Sequence, residues 1–243
     1  MRLTYLGTSG SYSAPGRPGA GLLIEQAGTR VWCDAGPGTF EALERTLDLD
    51  LLSAIVVSHQ HADHCSDLLA AYQSFAHRPP GLKGIPLYAP TAVAERVLAF
   101  LDKADFRGVF DFRPVTDGDT EVIGDIEVAF AVADHPVPTV ASRWTDGARV
   151  LAYSADTGPG GEWDRVAADA HLFVCEATFQ EGSALPHHLS AAQAGSIARK
   201  RRARALTLTH IPPHLDASVS VAEAEATFGR PVGLAVPGVR TKV

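Results

Sequence analysis

The sequence predicts a layered α/β fold. Short strand-like apolar runs alternate with stretches whose apolar residues recur at helical spacing. Four of those runs end on a histidine or an aspartate: 55–58 on His59, 128–133 on Asp134 and His135, 150–154 on Asp156, and 205–209 on His210. The 243 residues suffice for one domain, 1–243, with a substantial core, and no internal repeat, low-complexity tract or long linker divides them. In layered α/β architectures, sites gather where strand ends open into loops. One such run would mean little, but four argue for a common site.

Taken in order, "LTYL" reads as a strand followed by a long Gly/Ser/Pro loop over 7–21. "GLLIEQ" and "TRVWCDAG" are strands separated by a turn at Ala27 and Gly28. "LLSAIVVS" is a short buried strand, and "HCSDLLAAYQSFAH" then carries helical spacing. A further helix is expected over 91–102, with strands in "IEVAFAVADH", "RVLAYSAD", "AHLFVCEA" and "ARALTLTH". "SAAQAGSIARKRR" is a helix with Ser190 as its N-cap.

Composition excludes several classes. The 46% hydrophobic and 20% charged residues are ordinary for a globular protein, and no apolar run approaches the roughly 20 residues of a membrane span. The N-terminus has no long apolar stretch of the kind a signal peptide needs. Cys33, Cys65 and Cys175 are an odd number without metal-type pairing, so they read as reduced thiols in a cytoplasmic protein. A net charge of −7 disfavours nucleic acid as a partner. The basic run "ARKRRARA" at 198–205 reads as a solvated helix end before a strand.

The strongest signal is "SHQHADHCSD" at 58–67. Only 10 residues of the chain are histidine, and a chance His-x-His-x-Asp-His is expected about 0.001 times at this composition. In an extended loop, residues two apart project the same way, so His59 and His61 can grip one ion. Asp63 and His64 follow as the chain turns into a helix and point to a neighbouring position. Imidazole and carboxylate suit zinc, and manganese and iron accept the same set.

This pattern resembles the signature of the metallo-β-lactamase-fold hydrolases, and the resemblance runs over nearly the whole chain, from "YLGTSGS" to "LTHIPPH". It implies a four-layer αββα sandwich with two divalent ions, zinc in first place, at one edge of the two sheets. One ion would take His59, His61 and His135; the other would take Asp63, His64 and His210; Asp156 would bridge them. A water between two such ions is acidified enough to attack at neutral pH, with Asp63 and Asp156 holding it. "CEATF" at 175–179 and "HLSAAQAG" at 188–195 resemble the phosphodiesterase branch that includes RNase Z. Carried over, Glu176 orients His188, and His188 contacts the scissile phosphate and assists proton delivery to the leaving oxygen.

RNase Z enzymes carry a long tRNA-gripping arm between the ligands that correspond to His135 and Asp156. Here "PVPTVASRWTDGARVLAYSA" fits little beyond a hairpin and a strand. The chain therefore resembles compact bacterial phosphodiesterases of the same fold, including those acting on cyclic nucleotides. The expectation is hydrolysis of a small phosphodiester such as 3′,5′-cyclic AMP, with the base between loops 7–20 and 211–216, no membrane partner, and a homodimer left open. The alternatives are a tRNA 3′-end endonuclease and a lactonase or β-lactamase-like hydrolase. His77 and His171 read as structural, His214 as a candidate pocket lining, and Cys65 as inert packing.

Overall fold

The computed structural model describes residues 1–183 and 186–243. Its strands form two seven-stranded sheets. The first sheet contains β1 (Arg2–Gly7), β2 (Gly21–Gln26), β3 (Thr29–Cys33), β4 (Ala54–Val56), β5 (Ile85–Ala89) and β6 (Phe110–Pro114), with β14 (Arg240–Lys242) on the outer side of β1. The second runs in the order β13 (Gly233–Leu234), β12 (Leu206–Thr209), β11 (Leu172–Glu176), β10 (Val150–Tyr153), β9 (Val140–Thr145), β8 (Ile126–Val132) and β7 (Thr120–Ile123). Among the described residues no helix is long and apolar enough to cross a membrane.

Alternation along the strands builds three cores. In β2, Leu22 and Ile24 face between the sheets while Leu23 faces outward; in β3, Val31 and Cys33 face inward and Trp32 outward. On the second sheet, Leu172 and Val174 of β11 pack between the sheets, and Phe173 and Cys175 pack on the far side. Both faces of each central strand are thus buried, which is why these segments read as continuous apolar runs. The outer face of the first sheet is covered by α1 (Thr39–Thr46), α3 (Asp67–His77), α4 (Thr91–Leu98) and α5 (Lys103–Val109). That of the second is covered by α6 (Trp163–Val166), α7 (Ala191–Lys200) and α8 (Ala217–Phe228). The result is the expected αββα sandwich.

Strand direction gathers the site. β3, β4, β5 and β6 are mutually parallel, as are β10, β11, β12 and β13. β8 is antiparallel to β9, and β9 to β10, so β8 runs with β10. The C-terminal ends of β3, β4, β8, β10, β11 and β12 therefore open at one edge of the sandwich.

Two helices differ from the sequence expectation. The periodic stretch 64–77 is broken at Ser66 into α2 (Ala62–Cys65) and α3. The carbonyls of Asp63 and His64 are taken by the backbone N–H groups of Ala20 and Ala35, and Asp67 N–H bonds Ala35 instead of continuing the helical ladder. The expected helix 91–102 ends at Leu98, and α5 starts after Asp102. By contrast, Ser190 caps α7 in a full capping box with Gln193.

Helices α7 and α8 meet at Gly195, where a Cβ would overlap Thr227 Oγ1 and the Ala224 carbonyl. Alanine is intrinsically better in a helix by about 1 kcal/mol, whereas overpacking costs about 1–3 kcal/mol. Gly195→Ala is therefore expected to lower the thermal midpoint; a raised midpoint in a calorimetric scan would contradict this close approach.

Candidate metal centre

The seven expected ligands converge at this edge in two groups. His59, His61, His135 and Asp156 offer donor atoms within 4.8 Å of one another, and so do Asp63, His64, Asp156 and His210. In the first group His61 Nδ1 lies 3.0 Å from His59 Nε2 and 3.1 Å from His135 Nε2, and Asp156 Oδ2 lies 3.7 Å from His59 Nε2. In the second, His210 Nε2 lies 3.2 Å from both His64 Nε2 and Asp63 Oδ2. A tetrahedral ion with bonds near 2.0–2.1 Å holds its donors roughly 3.3 Å apart, so both spacings fit. Asp156 contributes one oxygen to each group.

The other oxygen of that carboxylate supplies a test of fit. Asp156 Oδ1 is buried, 3.1 Å from His64 Nε2 and 3.2 Å from His210 Nε2, yet it has no hydrogen-bond partner. A buried carboxylate oxygen without a donor is costly. Lone pairs aimed at a common point rather than at one another are what a cation requires, so the residues fit a metal.

The tautomers are fixed from behind. His64 Nδ1 bonds Asp34 Oδ2 at 2.8 Å, which turns Nε2 into the site. His59 Nδ1 contacts Ser58 Oγ at 3.0 Å, and that hydroxyl donates to Asp34 Oδ2. His135 Nδ1 bonds the His187 carbonyl at 3.1 Å. His210 Nδ1 contacts Thr178 Oγ1 at 3.0 Å, and Thr178 donates to Glu176 Oε2 at 2.6 Å. Such outer partners orient metal-binding imidazoles and raise their basicity. His210 itself has a left-handed backbone, φ 57°, and Gly10 of the first loop lies flat against it where any Cβ would overlap the His210 carbonyl.

Electrostatics divides the imidazoles. Burial pushes His59 well below the ordinary histidine value, and it lowers His61 and His135 as well, favouring the neutral, ligating form. Burial also opposes charge on His64 and His210, but Asp156 and the carboxylates of Asp34 and Asp63 outweigh it and raise both. Burial likewise opposes ionisation of Asp63, yet the His210 hydrogen bond and nearby imidazoles hold its carboxyl below the usual range. Acids and imidazoles here need each other or a cation between them.

Beside the ligands, His188 Nδ1 bonds Glu176 Oε1 at 3.0 Å. Glu176 is 1% exposed and also accepts the Thr157 N–H at 2.7 Å, so the pair is rigidly set. The His188 ring lies 5.1 Å from that of His135 and 5.9 Å from that of His210. It thus stands beside ligands of both groups. The adjacent His187 contributes its carbonyl to the centre, not its ring.

Sequence reasoning missed Asp34, Ser58 and Tyr153, and it noted Thr178 only as part of "CEATF", without a role. Asp34 was visible in principle: it is a further acid directly following a strand, in "VWCDAG". Tyr153 and Thr178 matter through contacts that no spacing reveals. Cys65 is mostly buried and burial pushes its thiol up to about 11, which agrees with inert packing. His77 is exposed, and His214 lines a cavity next to the site.

The Beta-lactamase superfamily domain matches residues 29–211, and the chain belongs to that superfamily. YhfI of Bacillus subtilis is 28% identical over 98% of this chain and 98% of its own length. The crystal structure of YhfI, a metallo-β-lactamase-fold protein, superposes with a TM-score of 0.90 at 23% identity, covering 99% of both chains. The human short-form tRNase Z follows at 0.78 and 18%, covering 100% of this chain and 99% of its own. A diphosphatase of the PhnP family gives 0.77 and 20%, covering 100% and 97%.

Asp34→Asn is expected to reduce metal affinity by roughly 10–100-fold, the usual effect of removing a group that orients a ligand. Asp156→Ala is expected to abolish tight binding at both positions. Competition against a chromophoric chelator measures both, and unaltered affinity in Asp34→Asn would refute its orienting role.

Proposed function

We propose that this metal-dependent hydrolase of the β-lactamase superfamily cleaves a phosphodiester in a small substrate, with 3′,5′-cyclic AMP as the leading candidate. The observation that carries the reading is the Glu176–His188 pair. A hydrolase that opens a lactone or β-lactam has no evident use for a second, carboxylate-backed imidazole beside both ligand groups. A phosphodiesterase does: it must bind a phosphate and protonate a poor leaving oxygen.

His59, His61 and His135 would hold one divalent cation and Asp63, His64 and His210 the other, with Asp156 shared; zinc suits the donor set. When bound, the cations supply Lewis acidity, lowering the pKa of an attacking water and offsetting charge on the phosphate oxygens. The chain does the rest. Burial opposes the cationic form of His188, but the Glu176 hydrogen bond and charge outweigh it and raise the imidazole above its ordinary value. With Nδ1–H committed to Glu176, Nε2 is the atom that meets the substrate, and a proton there can pass to the leaving oxygen. Asp63 and Asp156 accept hydrogen bonds from the attacking water and orient it.

The short connection between His135 and Asp156 supports a small substrate. It is the β9–β10 hairpin, with Thr145 paired to Val150, and leaves no arm to hold a tRNA. The names of two structural neighbours denote cleavage of RNA and of a diphosphate, so the RNase Z reading is the one to test against. A chain of net charge −7 also gains little from counterion release on a long polyanion. With the metal-loaded protein, cyclic AMP or a simple aryl phosphodiester should exceed pre-tRNA in kcat/KM, with weak salt dependence. Efficient, steeply salt-sensitive cutting at a tRNA 3′ end, with cyclic AMP untouched, would establish the rival.

His188→Ala is expected to lower kcat by roughly 10²–10⁴ with metal content intact, and Glu176→Gln to show a smaller loss in the same direction. Near-normal phosphodiester turnover by His188→Ala would favour the lactonase or β-lactamase alternative.

A further inference from the structure

The cavity next to His188 is about 410 Å³ and is lined by Tyr12, Phe179, Gln180, Pro212 and His214, among others. Its inner end is chemical and its outer wall is aromatic. The rings of Tyr12 and His214 lie parallel within 2°, their centres 6.2 Å apart, and the Tyr12 hydroxyl meets His214 Nδ1 at 3.0 Å. Phe179 closes the inner side, its ring 5.9 Å from that of His188. Tyr12 is nonetheless 46% exposed, a large aromatic surface that the fold leaves uncovered.

This wall is built in advance. Ser11, next to Tyr12, has φ 62° and donates its N–H to Asp63 Oδ2 at 2.9 Å, which ties the loop to a metal-ligand candidate. Arg17 donates to the Pro213 carbonyl at 3.1 Å and joins the same loop to the segment carrying His214. A flat, pre-positioned aromatic surface offers a π-face to a planar ring without the ordering cost of a mobile one. Gln180 has committed its amide nitrogen to the Asp216 carbonyl and Ser220 Oγ, so its carbonyl is what it can offer a ligand. Glu181 adds a carboxylate to the lining, which disfavours a ligand carrying extra phosphates there.

We propose that the Tyr12–His214 wall is the stacking platform for the nucleobase of a nucleoside phosphodiester and so determines substrate specificity. The proposal rests on the phosphodiesterase reading and adds to it which end of the substrate is recognised, and by what. The occupant is a nucleoside bearing a single phosphate, its base against Tyr12 and His214 and its phosphate beside His188.

The test uses two chromogenic diesters with the same leaving group, thymidine 5′-(p-nitrophenyl phosphate) and methyl p-nitrophenyl phosphate. The metal-loaded wild-type protein should prefer the nucleoside diester in kcat/KM. In Tyr12→Ala that preference should fall by roughly 5–150-fold, the range for losing one base–aromatic stack, chiefly through KM. Tyr12→Phe, which keeps the ring, should retain most of it, and His214→Ala should move in the direction of Tyr12→Ala. Calorimetric titration with adenosine, which has no phosphate, should show weaker binding to Tyr12→Ala by a similar factor. A preference and an adenosine affinity unchanged in Tyr12→Ala, with both diesters hydrolysed, would overturn the platform and leave the phosphodiesterase reading standing. Hydrolysis of neither diester and of no cyclic AMP by the wild-type protein would remove that reading, and the platform with it.

Discussion

The carboxylate of Asp34 holds the centre together. It is fully buried and accepts from four donors: Ser58 N–H at 2.7 Å, Ser58 Oγ at 3.0 Å, His64 Nδ1 at 2.8 Å and the Tyr153 hydroxyl at 2.8 Å. Burying such a group without partners would be prohibitive, and each of these bonds is worth more for being made away from water. Tyr153 comes from the second sheet, while Asp34 and Ser58 follow strands of the first. One side chain therefore docks the two sheets at the site edge and orients histidines in both ligand groups, His64 directly and His59 through Ser58. Burial and the neighbouring Asp34 push the Tyr153 phenol well above its usual value, so it stays a donor. The backbone at Asp34 is left-handed, φ 60°, a conformation that aspartate tolerates better than most residues.

Much of this was legible in the sequence. The candidate ligands could be proposed because metal chemistry restricts donor types and strand periodicity restricts where they project; His59, His61, Asp63 and His64 fall within six positions. The convergence of the distant candidates His135, Asp156 and His210 was readable because each follows a buried strand, and parallel strands end on one edge. Among the elements that went unassigned, β6 is an edge strand and α5 a short helix, while β5 is an interior strand of only five residues with Pro86 in it, too short for a clear pattern. The break at Ser66 could not be read, because it is caused by the Ala20 and Ala35 amides, which arrive from loops far away in sequence. Tyr153 was silent for the same reason, and so was the role of Thr178 within "CEATF". A hydroxyl that fixes a tautomer looks like any other strand residue until the fold closes.

The first loop shows how a covering segment is specified by more than composition. Its run of Gly, Ser and Pro reads as a generic turn, yet Gly10 is the one residue that can lie against the His210 carbonyl, and Ser11 N–H reaches Asp63. The same loop therefore contacts the centre at its base and offers Tyr12 at its tip. The candidate ligands and the neighbouring cavity are thus linked through a few residues of backbone.

The ligand sets also cross the boundary between the two halves of the chain. His64 and His210 face each other at 3.2 Å although 146 positions separate them, and His61 and His135 meet from opposite sheets 74 positions apart. Contacts of such long sequence separation form late, because the entropy of closing large loops must be met before they reward the chain. Both four-donor groups are thus complete only once the two sheets are folded and docked. A half-made protein presents the His59–His64 cluster without His135, Asp156 and His210, so neither four-donor group exists before the second half of the chain is in place.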